Sequence, residues 1–545
     1  NSLIPLTVMT ADPASEPAAP VSAPMASLRS NRHFLTVVCV GFCFVFLNRA
    51  LFYDLENSFL MSIVYCDDPT PPCPQGSVQL KDACVAEPAS SPQWSFSKHC
   101  AARNRVLNAA KSAMSMISTA DGVGSAVAVI FLGPLLDWHG RKPFILLAFV
   151  GAMIRPVMQF VSSLLIGRML TQDAINAVGA MIAAMLNVFQ AAISAMVADL
   201  SDNQIELRNR AMSVLCQALF LAGALGFAGG FGILHQNLEN YSWYWLLSAG
   251  LNVVLFVAIF CLVAETKHLA NSPSQGVDLE IESETSTDQE QSTSVTSADS
   301  HEKAQAGRGA LRDLLRFLCN LRHDPVLLQL LILTFVLKAV WAMEHLARYM
   351  LITYLNYSQA AASMVGFASS INGCVGSRIN TMLLPRLGPW TTLFLALCMG
   401  IVGTALEGVA VVIAENEMSL LPSLIFWTGK VLLGISLGIR TPLIDTLASV
   451  RVEKDQQGRL FSIMQLMDLV GHTLGMSVLF RKLYNSSWTG WMAPLSSFVG
   501  IGFYAFCSCW VLFLRHQQRH VSGTAGNFVG KETSEKSCSE VGAED

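Results

Sequence analysis

Long apolar runs dominate the chain, and polar residues gather in the stretches between them. Twelve runs reach about 20 residues, the length that a helix needs to cross the hydrocarbon core of a bilayer. Inside lipid the backbone polar groups find no water, so runs of this length predict helices. The predicted spans are 34–53, 113–136, 143–165, 174–198, 211–232, 243–264, 326–349, 361–384, 390–413, 422–449, 459–480 and 492–514.

A polar gap divides the twelve spans into two sets of six. Residues 271–305 contain eight acidic and twelve Ser or Thr residues, a composition typical of a disordered linker. Residues 308–322 space their apolar side chains helically, which predicts a helix on the membrane surface. We predict an all-α membrane protein with these segments: N-terminus 1–33, first six-helix bundle 34–264 with loop 54–112, linker 265–324, second six-helix bundle 325–514 and tail 515–545.

Basic residues predict that both termini and the linker are cytosolic. Lys and Arg are enriched beside the short loops of one side, which marks the cytoplasmic face. The residues on that side are Arg29, Arg32, Arg141, Lys142, Arg208, Arg210, Arg451, Lys454, Arg459, Arg515 and Arg519. Loop 54–112 also carries basic residues, but long loops influence orientation less. Residues 1–30 lack the charged and then apolar start of a cleavable signal peptide.

Glycosylation sequons and cysteines agree with this orientation. Asn240, Asn356 and Asn485 each begin an Asn-x-Ser/Thr sequon, and all three fall in short loops on the opposite side. Loop 54–112 lies on that side too and contains four cysteines: Cys66, Cys73, Cys84 and Cys100. An oxidising compartment favours one or two disulfides among them, in a pairing that the sequence leaves open. A metal site is the weaker alternative because the loop has no Cys-x-x-Cys spacing.

The most informative motif is the polar stretch 133–143 between spans 2 and 3, which reads Gly-Pro-Leu-Leu-Asp-Trp-His-Gly-Arg-Lys-Pro. It resembles the signature loop of the major facilitator superfamily, Gly-x-Leu-x-Asp-x-x-Gly-Arg-Lys. Gly133, Asp137, Gly140, Arg141 and Lys142 match as a gating motif, together with Leu135. Trp138 stands where the family usually has a basic residue. The resemblance implies a 6+6 fold around a central solute site.

Other segments resemble the same family. Residues 198–202, Ala-Asp-Leu-Ser-Asp, precede Arg208 as in the family's loop between spans 4 and 5, and residues 265–267, Glu-Thr-Lys, resemble the signature that closes span 6. Residues 385–389, Pro-Arg-Leu-Gly-Pro, take the place of the signature loop in the second half without its Asp. Residues 456–462 resemble fungal-type facilitators and, more distantly, the proton-coupled folate transporter branch.

Span 7 carries the densest set of polar side chains. Each charged group inside the hydrocarbon costs about 2.5–3.5 kcal/mol, so Lys338, Glu344 and Arg348 each require a reason. Lys338, Trp341 and His345 share one helical face, which predicts a polar lining for an anionic or amphipathic solute. Contacts between helices are the alternative. Arg155 of span 3 is a further cavity candidate and can pair with Asp121 of span 2.

Span 11 places Asp468 and His472 one helical turn apart. A carboxylate and an imidazole on one face can share and pass a proton, so we predict that this pair couples transport to protons. A structural hydrogen-bonded pair is the alternative. Glu407 and Asp121 are the next candidates for proton coupling. Asp445 of span 10 is assigned to the cytoplasmic mouth near Arg451.

Several functional classes lack support in the sequence. Of the 545 residues, 52% are hydrophobic and 14% charged, which excludes an ordinary soluble enzyme. No phosphate-binding loop or zinc-protease motif is present, and Gly434–Gly438 matches a hydrolase motif only by chance. We expect no catalytic residues, metal or cofactor. A net charge of −4 and the lack of a basic domain argue against nucleic-acid binding.

We interpret the chain as a secondary transporter of small organic solutes that resembles a fungal-type facilitator. Many apolar helices rich in Met and Phe favour efflux of a metabolite or xenobiotic. Proton-coupled uptake of an organic anion is the alternative, and a transport-dead receptor or scaffold on the same fold is the alternative of another class. The expected partners are the lipid bilayer, a small solute and protons. We expect a monomer, in the plasma membrane rather than the vacuole.

Overall fold

The computed structural model describes most of the membrane-spanning part of the chain. The described residues are 28–51, 101–164, 169–201, 204–235, 242–263, 317, 321, 324–344, 346–355, 357, 359–416, 420–483 and 492–539. Within these ranges the regular elements are helical. The α-helices are α1 (Leu28–Val45), α2 (Ala101–His139), α3 (Lys142–Ser163), α4 (Met169–Met185), α5 (Phe189–Leu200), α6 (Ile205–His235), α7 (Ser242–Leu262), α8 (Pro325–Glu344), α9 (Leu346–Thr353), α10 (Gln359–Leu387), α11 (Pro389–Asn416), α12 (Leu420–Ser449), α13 (Gln457–Leu474), α14 (Arg481–Leu483) and α15 (Leu495–Ser539).

Every predicted span coincides with a helix or a pair of consecutive helices, so the all-α membrane fold is confirmed. Nine helical segments of the described part are long and apolar enough to cross a membrane, and span 1 corresponds to the shorter apolar helix Arg32–Asn48. Spans 8 and 11, formed by α10 and α13, fall outside that set. Both pack against helices of the opposite half, which explains their Ser, Asn and Gln residues.

Four of the spans are not continuous α-helices. Span 1 continues α1 in a π-helical segment, Phe46–Leu51, and span 11 continues α13 in another, Gly475–Phe480. Span 4 is broken between α4 and α5, and span 7 between α8 and α9. A broken helix leaves backbone groups without intrahelical partners, and in a membrane these must be satisfied by neighbouring protein.

Gln465 of α13 supplies partners at the break in span 4. Its amide nitrogen donates to the Asn187 carbonyl at 3.0 Å, and its carbonyl oxygen accepts from the Ala191 N–H, also at 3.0 Å. Gln465 is 7% exposed. One side chain of the second half therefore satisfies two backbone groups at the break in a span of the first half.

The two halves meet chiefly along two pairs of helices, α2 with α13 and α6 with α10, and α5 with α13 and α6 with α12 add to the contact. Glycines permit the close approach. A Cβ at Gly133 of α2 would lie 2.7 Å from the Ser462 Cβ of α13, and one at Gly223 of α6 would lie 2.8 Å from the Ser370 hydroxyl of α10. The glycines of span 5 thus serve helix packing.

Two corresponding loops of the halves share one turn geometry. Gly140, between α2 and α3, has φ of 90°, and Gly388, between α10 and α11, has φ of 74°. Only glycine adopts such angles without strain. Prolines follow both turns, Pro143 near the start of α3 and Pro389 at the first residue of α11, where a missing N–H costs no helical hydrogen bond. The second half therefore keeps the turn of the signature loop although it lacks the Asp.

Candidate functional site

The signature loop closes one face of the molecule, which we call the gate face. At this face α2, α5 and α12 end while α3, α6 and α13 begin. The carboxylate of Asp137 accepts hydrogen bonds from the backbone N–H groups of Gly458 at 2.9 Å and Arg459 at 3.0 Å. Both groups lie in the first turn of α13, where N–H groups lack helical partners and the helix dipole favours an anion.

Arg141 joins this contact to the rest of the first half. Its guanidinium lies 2.8 Å from the Asp137 carboxylate and 3.4 Å from that of Asp199, near the end of α5. The same side chain donates to the Leu136 carbonyl. Arg459 of α13 approaches Asp137 from the other half at 3.6 Å. Two carboxylates and two guanidinium groups thus form one network, and Asp137 is its bridge between the halves.

Lys142 contacts the end of α7 in the first half. Its ammonium donates to the Phe260 carbonyl near the end of α7 at 2.8 Å and lies 5.4 Å from the centre of the Phe260 ring. A cation at the last turn of a helix complements the helix dipole. Trp138, where the family usually has a basic residue, is 43% exposed.

A second group of polar residues, the central cluster, lies within the membrane-spanning part. It comprises Asp121, Arg155, Lys338, Trp341, Asp445, Asp468 and His472. Its shortest ion pair joins the Lys338 ammonium of α8 to the Asp468 carboxylate of α13 at 2.6 Å. The two side chains remain 25% and 28% exposed. The other oxygen of Asp468 is buried and has no hydrogen-bond partner among the described residues.

Asp468 and His472 each contact a side chain of α8. Asp468 forms an ion pair with Lys338, while the imidazole of His472 lies against Trp341 with ring centres 5.6 Å apart. Proton exchange between Asp468 and His472 stays a prediction. The Lys338 ammonium also sits 5.3 Å from the centre of the Trp341 ring, within range of a cation–π contact. Spacing along α13 could not reveal this, because the preferred partner is on another helix.

Asp445 was missed as a member of the cluster. It was assigned to the mouth of the transporter, but it interacts electrostatically with both Lys338 and Asp468. Arg451, its expected neighbour, instead lies 3.6 Å from Asp324, whose carboxylate also accepts from the N–H groups of Val326 and Leu327 at the start of α8. The ion pair of Lys338 in the second half is therefore the one with Asp468.

The first half contributes the ion pair between Asp121 and Arg155 that the sequence suggested. Their charged atoms are 3.7 Å apart, and the side chains are 38% and 32% exposed. Next to Asp121, Gly122 contacts Thr473 of α13, and Gly124 contacts Met181 of α4. Asp121 is therefore flanked on α2 by contacts with α13 and α4.

The same reasoning applies to the second half. Gly471 of α13 and Gly475 of the π-helical segment that follows lie on the backbone of α8 at Phe335 and Ala339. Asp468 and His472 are therefore placed between this contact with α8 and the contact of α13 with α2. Since His472 adjoins Thr473, the ion pairs of the two halves flank the same helix interface. Charges of both signs and an aromatic face beside this interface are suited to contacts with a small amphipathic solute.

Glu407 lies elsewhere. Its carboxylate is 2.6 Å from the Lys430 ammonium, with exposures of 7% and 0%, and the pair is enclosed between α11 and α12. The close contact of Gly403 with Gly429 brings these helices together at that point. The geometry gives Glu407 a buried partner inside one half, so its assignment to proton coupling finds no support here.

Several predicted sites lie outside the described residues: His345, the sequons at Asn240, Asn356 and Asn485, and Cys66, Cys73, Cys84 and Cys100. Of the segment 308–322, the described residues Phe317 and Leu321 are helical and buried. In the described part of the chain, no group of three His, Cys, Asp or Glu residues is placed to hold a metal ion.

Comparison with known families gives one match. The family model described as Major Facilitator Superfamily matches residues 102–476, a range that includes both the signature loop and the central cluster. Among curated protein sequences, no significant match is found.

Solved structures resemble the fold over most of the chain. The human organic anion transporter MFSD10 (TETRAN) is 17% identical with a TM-score of 0.60, over 89% of this chain and 100% of that one. The xylose transporter XylE from E. coli is 11% identical with a TM-score of 0.53, over 88% and 99%. A bacterial homologue of the iron transporter ferroportin is 12% identical with a TM-score of 0.52, over 85% and 99%. At identities this low, the similarity shows a shared fold and does not indicate a shared function.

Proposed function

The chain belongs to the major facilitator superfamily, and on that premise we propose that it moves small organic anions together with protons. The family makes it a multi-pass membrane transporter of small solutes and not an enzyme. Transporters of this kind rock two bundles about a central site, which opens to one side of the membrane at a time. The class of solute, the coupling ion and the direction are what we add.

The observation that carries the proposal is the ion pair between Lys338 and Asp468. Asp468 holds the ammonium at 2.6 Å, and the two side chains remain 25% and 28% exposed. An anionic solute can pair with Lys338 only if Asp468 releases it. A carboxylate left unpaired at this depth is costly, and a proton removes that cost. Binding of the anion and protonation of Asp468 therefore favour each other, which is the requirement for cotransport.

The neighbouring side chains fit the rest of such a solute. Trp341 offers an aromatic face beside the ammonium, suited to the apolar body of an amphipathic anion. Arg155 is 3.7 Å from Asp121, a longer pair than that of Lys338, and it can receive a second polar group. The human structure of similar fold is that of an organic anion transporter, which agrees with this solute class.

The direction follows from the proton gradient. With the gate face in the cytosol and the protein in the plasma membrane, protons entering the cell would drive uptake of the anion. Efflux of a metabolite or xenobiotic, favoured by the apolar helices, is not supported by the paired charges of the central cluster. A transport-dead receptor is disfavoured by the complete network around Asp137, because a protein that does not alternate between states needs no gate.

Transport by the purified full-length protein in liposomes tests the proposal. We expect an imposed pH gradient to drive accumulation of a labelled amphipathic monocarboxylate, but not of its neutral amide. Asp468→Asn should abolish the dependence on the gradient while exchange of labelled for unlabelled anion continues. Glu453→Gln, which removes an exposed carboxylate of the gate face, serves as the matched control. Equal transport of the amide, or gradient-driven accumulation by Asp468→Asn, contradicts the proposal.

A further inference from the structure

One stripe of α4 packs against one stripe of α3, and the two helices run in opposite directions. The amide nitrogen of Gln172 on α4 donates to the Ser162 carbonyl on α3 at 3.1 Å. Further along, a Cβ at Gly179 of α4 would lie 2.6 Å from the Met158 Cβ of α3. Asn176 comes four residues after Gln172 and three before Gly179, and residues at these spacings share a helical face. Its side chain therefore lies on the face of α4 that meets α3.

Asn176 carries a buried amide. The residue is 5% exposed, and neither Nδ2 nor Oδ1 has a hydrogen-bond partner among the described residues. In the same part of the chain, the hydroxyl of Ser162 on the facing stripe of α3 is buried and lacks a partner as well. Buried polar groups are costly unless they are hydrogen-bonded, and water commonly supplies the bonds. The two side chains offer donors and acceptors together, a pattern that suits a water molecule better than an ion of either sign.

The stripe on α3 leads from this site to the ion pair of the first half. Arg155 lies seven residues before Ser162, which again places both on one face. Their separation along the helix axis is about 10 Å, a length that about four hydrogen-bonded water molecules span. Gln159, one turn from Arg155, is a further buried polar side chain between them. Arg155 is the partner of Asp121 at 3.7 Å, and both side chains are partly exposed.

The other end of the stripe reaches the side of the molecule away from the gate face. α3 begins at the gate face and ends at Ser163, and α4 begins at Met169 on the side opposite the gate. Asn176 is therefore about 10 Å from that end of α4. Asp173, next to Gln172, places a half-buried carboxylate there. The polar groups thus form a line from this side of the molecule to the ion pair.

We propose that water held by Asn176 and Ser162 is the route along which protons reach Asp121 from the side opposite the gate face. Polar side chains inside spans mark ion pathways, and chains of water can pass protons. A hydronium ion at the outer end gives a proton to the chain, and the Asp121 carboxylate takes up a proton at the inner end and becomes a carboxyl group. Protonated Asp121 no longer holds Arg155 by charge, so the guanidinium becomes available to the solute.

The helices that pack on α2 supply the other charged groups around Asp121. Arg155 faces it from α3, and Asp173 lies nearer the start of α4. The contacts of α2 with α13 bring the helix of Asp468 and His472 to the other side. Asp121 is thus placed between the route and the helix of the coupling carboxylate. The route rests on the proposed cotransport with protons, whereas the water site does not.

Hydration of the site can be measured without a solute. Hydroxyl radicals from a short X-ray pulse oxidise methionines that lie beside water, and mass spectrometry of the purified full-length protein gives the rate at each methionine. Met158, which contacts Gly179 of α4, is the reporter. Asn176→Leu keeps the branched shape and removes the polar atoms, so it should lower the oxidation rate at Met158 about tenfold, because an apolar site stays dry. Met153, on the other side of α3, should be unaffected.

The route is tested in liposomes that contain a pH-sensitive dye. We expect Asn176→Leu to slow the proton entry that accompanies a labelled amphipathic monocarboxylate about tenfold, because water no longer connects the outer side to Asp121. Exchange of labelled for unlabelled anion needs no net proton entry and should keep the parent rate. Ser163→Ala is the matched control, since the Ser163 hydroxyl donates to the Phe160 carbonyl of its own helix at 2.6 Å. It should behave like the parent.

Proton entry at the parent rate in Asn176→Leu overturns the route, and an unchanged oxidation rate at Met158 overturns the water site. Ser162→Ala removes a single hydroxyl and should slow both about threefold. It decides the question if Asn176→Leu does not fold. If the parent moves no protons with the anion, the proposed cotransport fails and the route fails with it. A parent that couples normally beside an unaffected Asn176→Leu overturns the route alone.

Discussion

The carboxylate of Asp137 accepts the backbone N–H of Gly458 at 2.9 Å, although the two residues are 321 positions apart in the chain. The bond joins the end of α2 to the start of α13 and therefore one half of the transporter to the other. The signature loop thus acts through the backbone of the opposite half, and its own turn only sets the position of the carboxylate.

Asp137→Asn should favour the open gate and reduce transport more than abundance. An amide keeps one acceptor oxygen but loses the charge that faces the dipole of α13 and the Arg141 guanidinium. Hydrogen bonds to charged groups contribute about 1.5–3 kcal/mol, so we expect turnover to fall by about tenfold or more. Initial transport rates at equal surface expression provide the measurement. A rate equal to that of the parent would refute the role of the carboxylate.

Gly458→Ala should interfere with the same contact from the other side. A Cβ at this position would lie 2.4 Å from the Asp137 carboxylate and 3.0 Å from the Arg141 guanidinium. The contact between α2 and α13 would have to widen. A cysteine introduced at Ser462, which is 0% exposed, should then react faster with N-ethylmaleimide, and transport should decrease. Gly502→Ala of α15, where nothing lies within 4 Å of an added Cβ, is the matched control. Slow labelling of Gly458→Ala, as in the parent, would mean that the contact relaxes without opening.

Lys338→Gln should weaken binding of the anionic solute. It leaves Asp468 without its ion-pair partner, so the site becomes more negative and repels anions. We expect the KM for the anion to rise about tenfold or more while surface expression persists. Uptake over a range of anion concentrations gives the value, and Lys454→Gln, at an exposed lysine, controls for the lost charge. An unaltered KM would place the anion elsewhere.

The pair of Glu407 and Lys430 should affect stability rather than coupling. Lys430 is 0% exposed, and loss of one partner from a buried ion pair costs about 3–5 kcal/mol. Glu407→Gln should therefore lower the thermal unfolding temperature, and the double variant with Lys430→Met should recover part of the loss. Gradient-driven accumulation should persist in the double variant. If transport lost its dependence on the pH gradient while stability stayed unchanged, Glu407 would instead take part in proton coupling.

The sequence by itself determined the fold. Apolar runs of bilayer length leave the backbone no alternative to helices, and the spans around Phe149 or Val411 are recognisable without any neighbour. The turn of the signature loop could also be predicted without knowledge of its neighbours, because the backbone preferences of residues Gly140, Arg141 and Pro143 favour a turn there. Spans 8 and 11 were identified although their polar residues reduce the hydropathy that marks a span.

Only the tertiary structure decided which polar groups meet. Asp468 forms an ion pair with Lys338 of α8, a partner that the spacing along its own helix does not indicate. Helical periodicity states which residues share a face, but it does not state which helix that face meets. For Asp137, the sequence indicated a cation of the same loop or a neighbouring helix end as the partner. Arg141 is that cation. The N–H groups of Gly458 and Arg459 could not be singled out, because every residue except proline carries such a group.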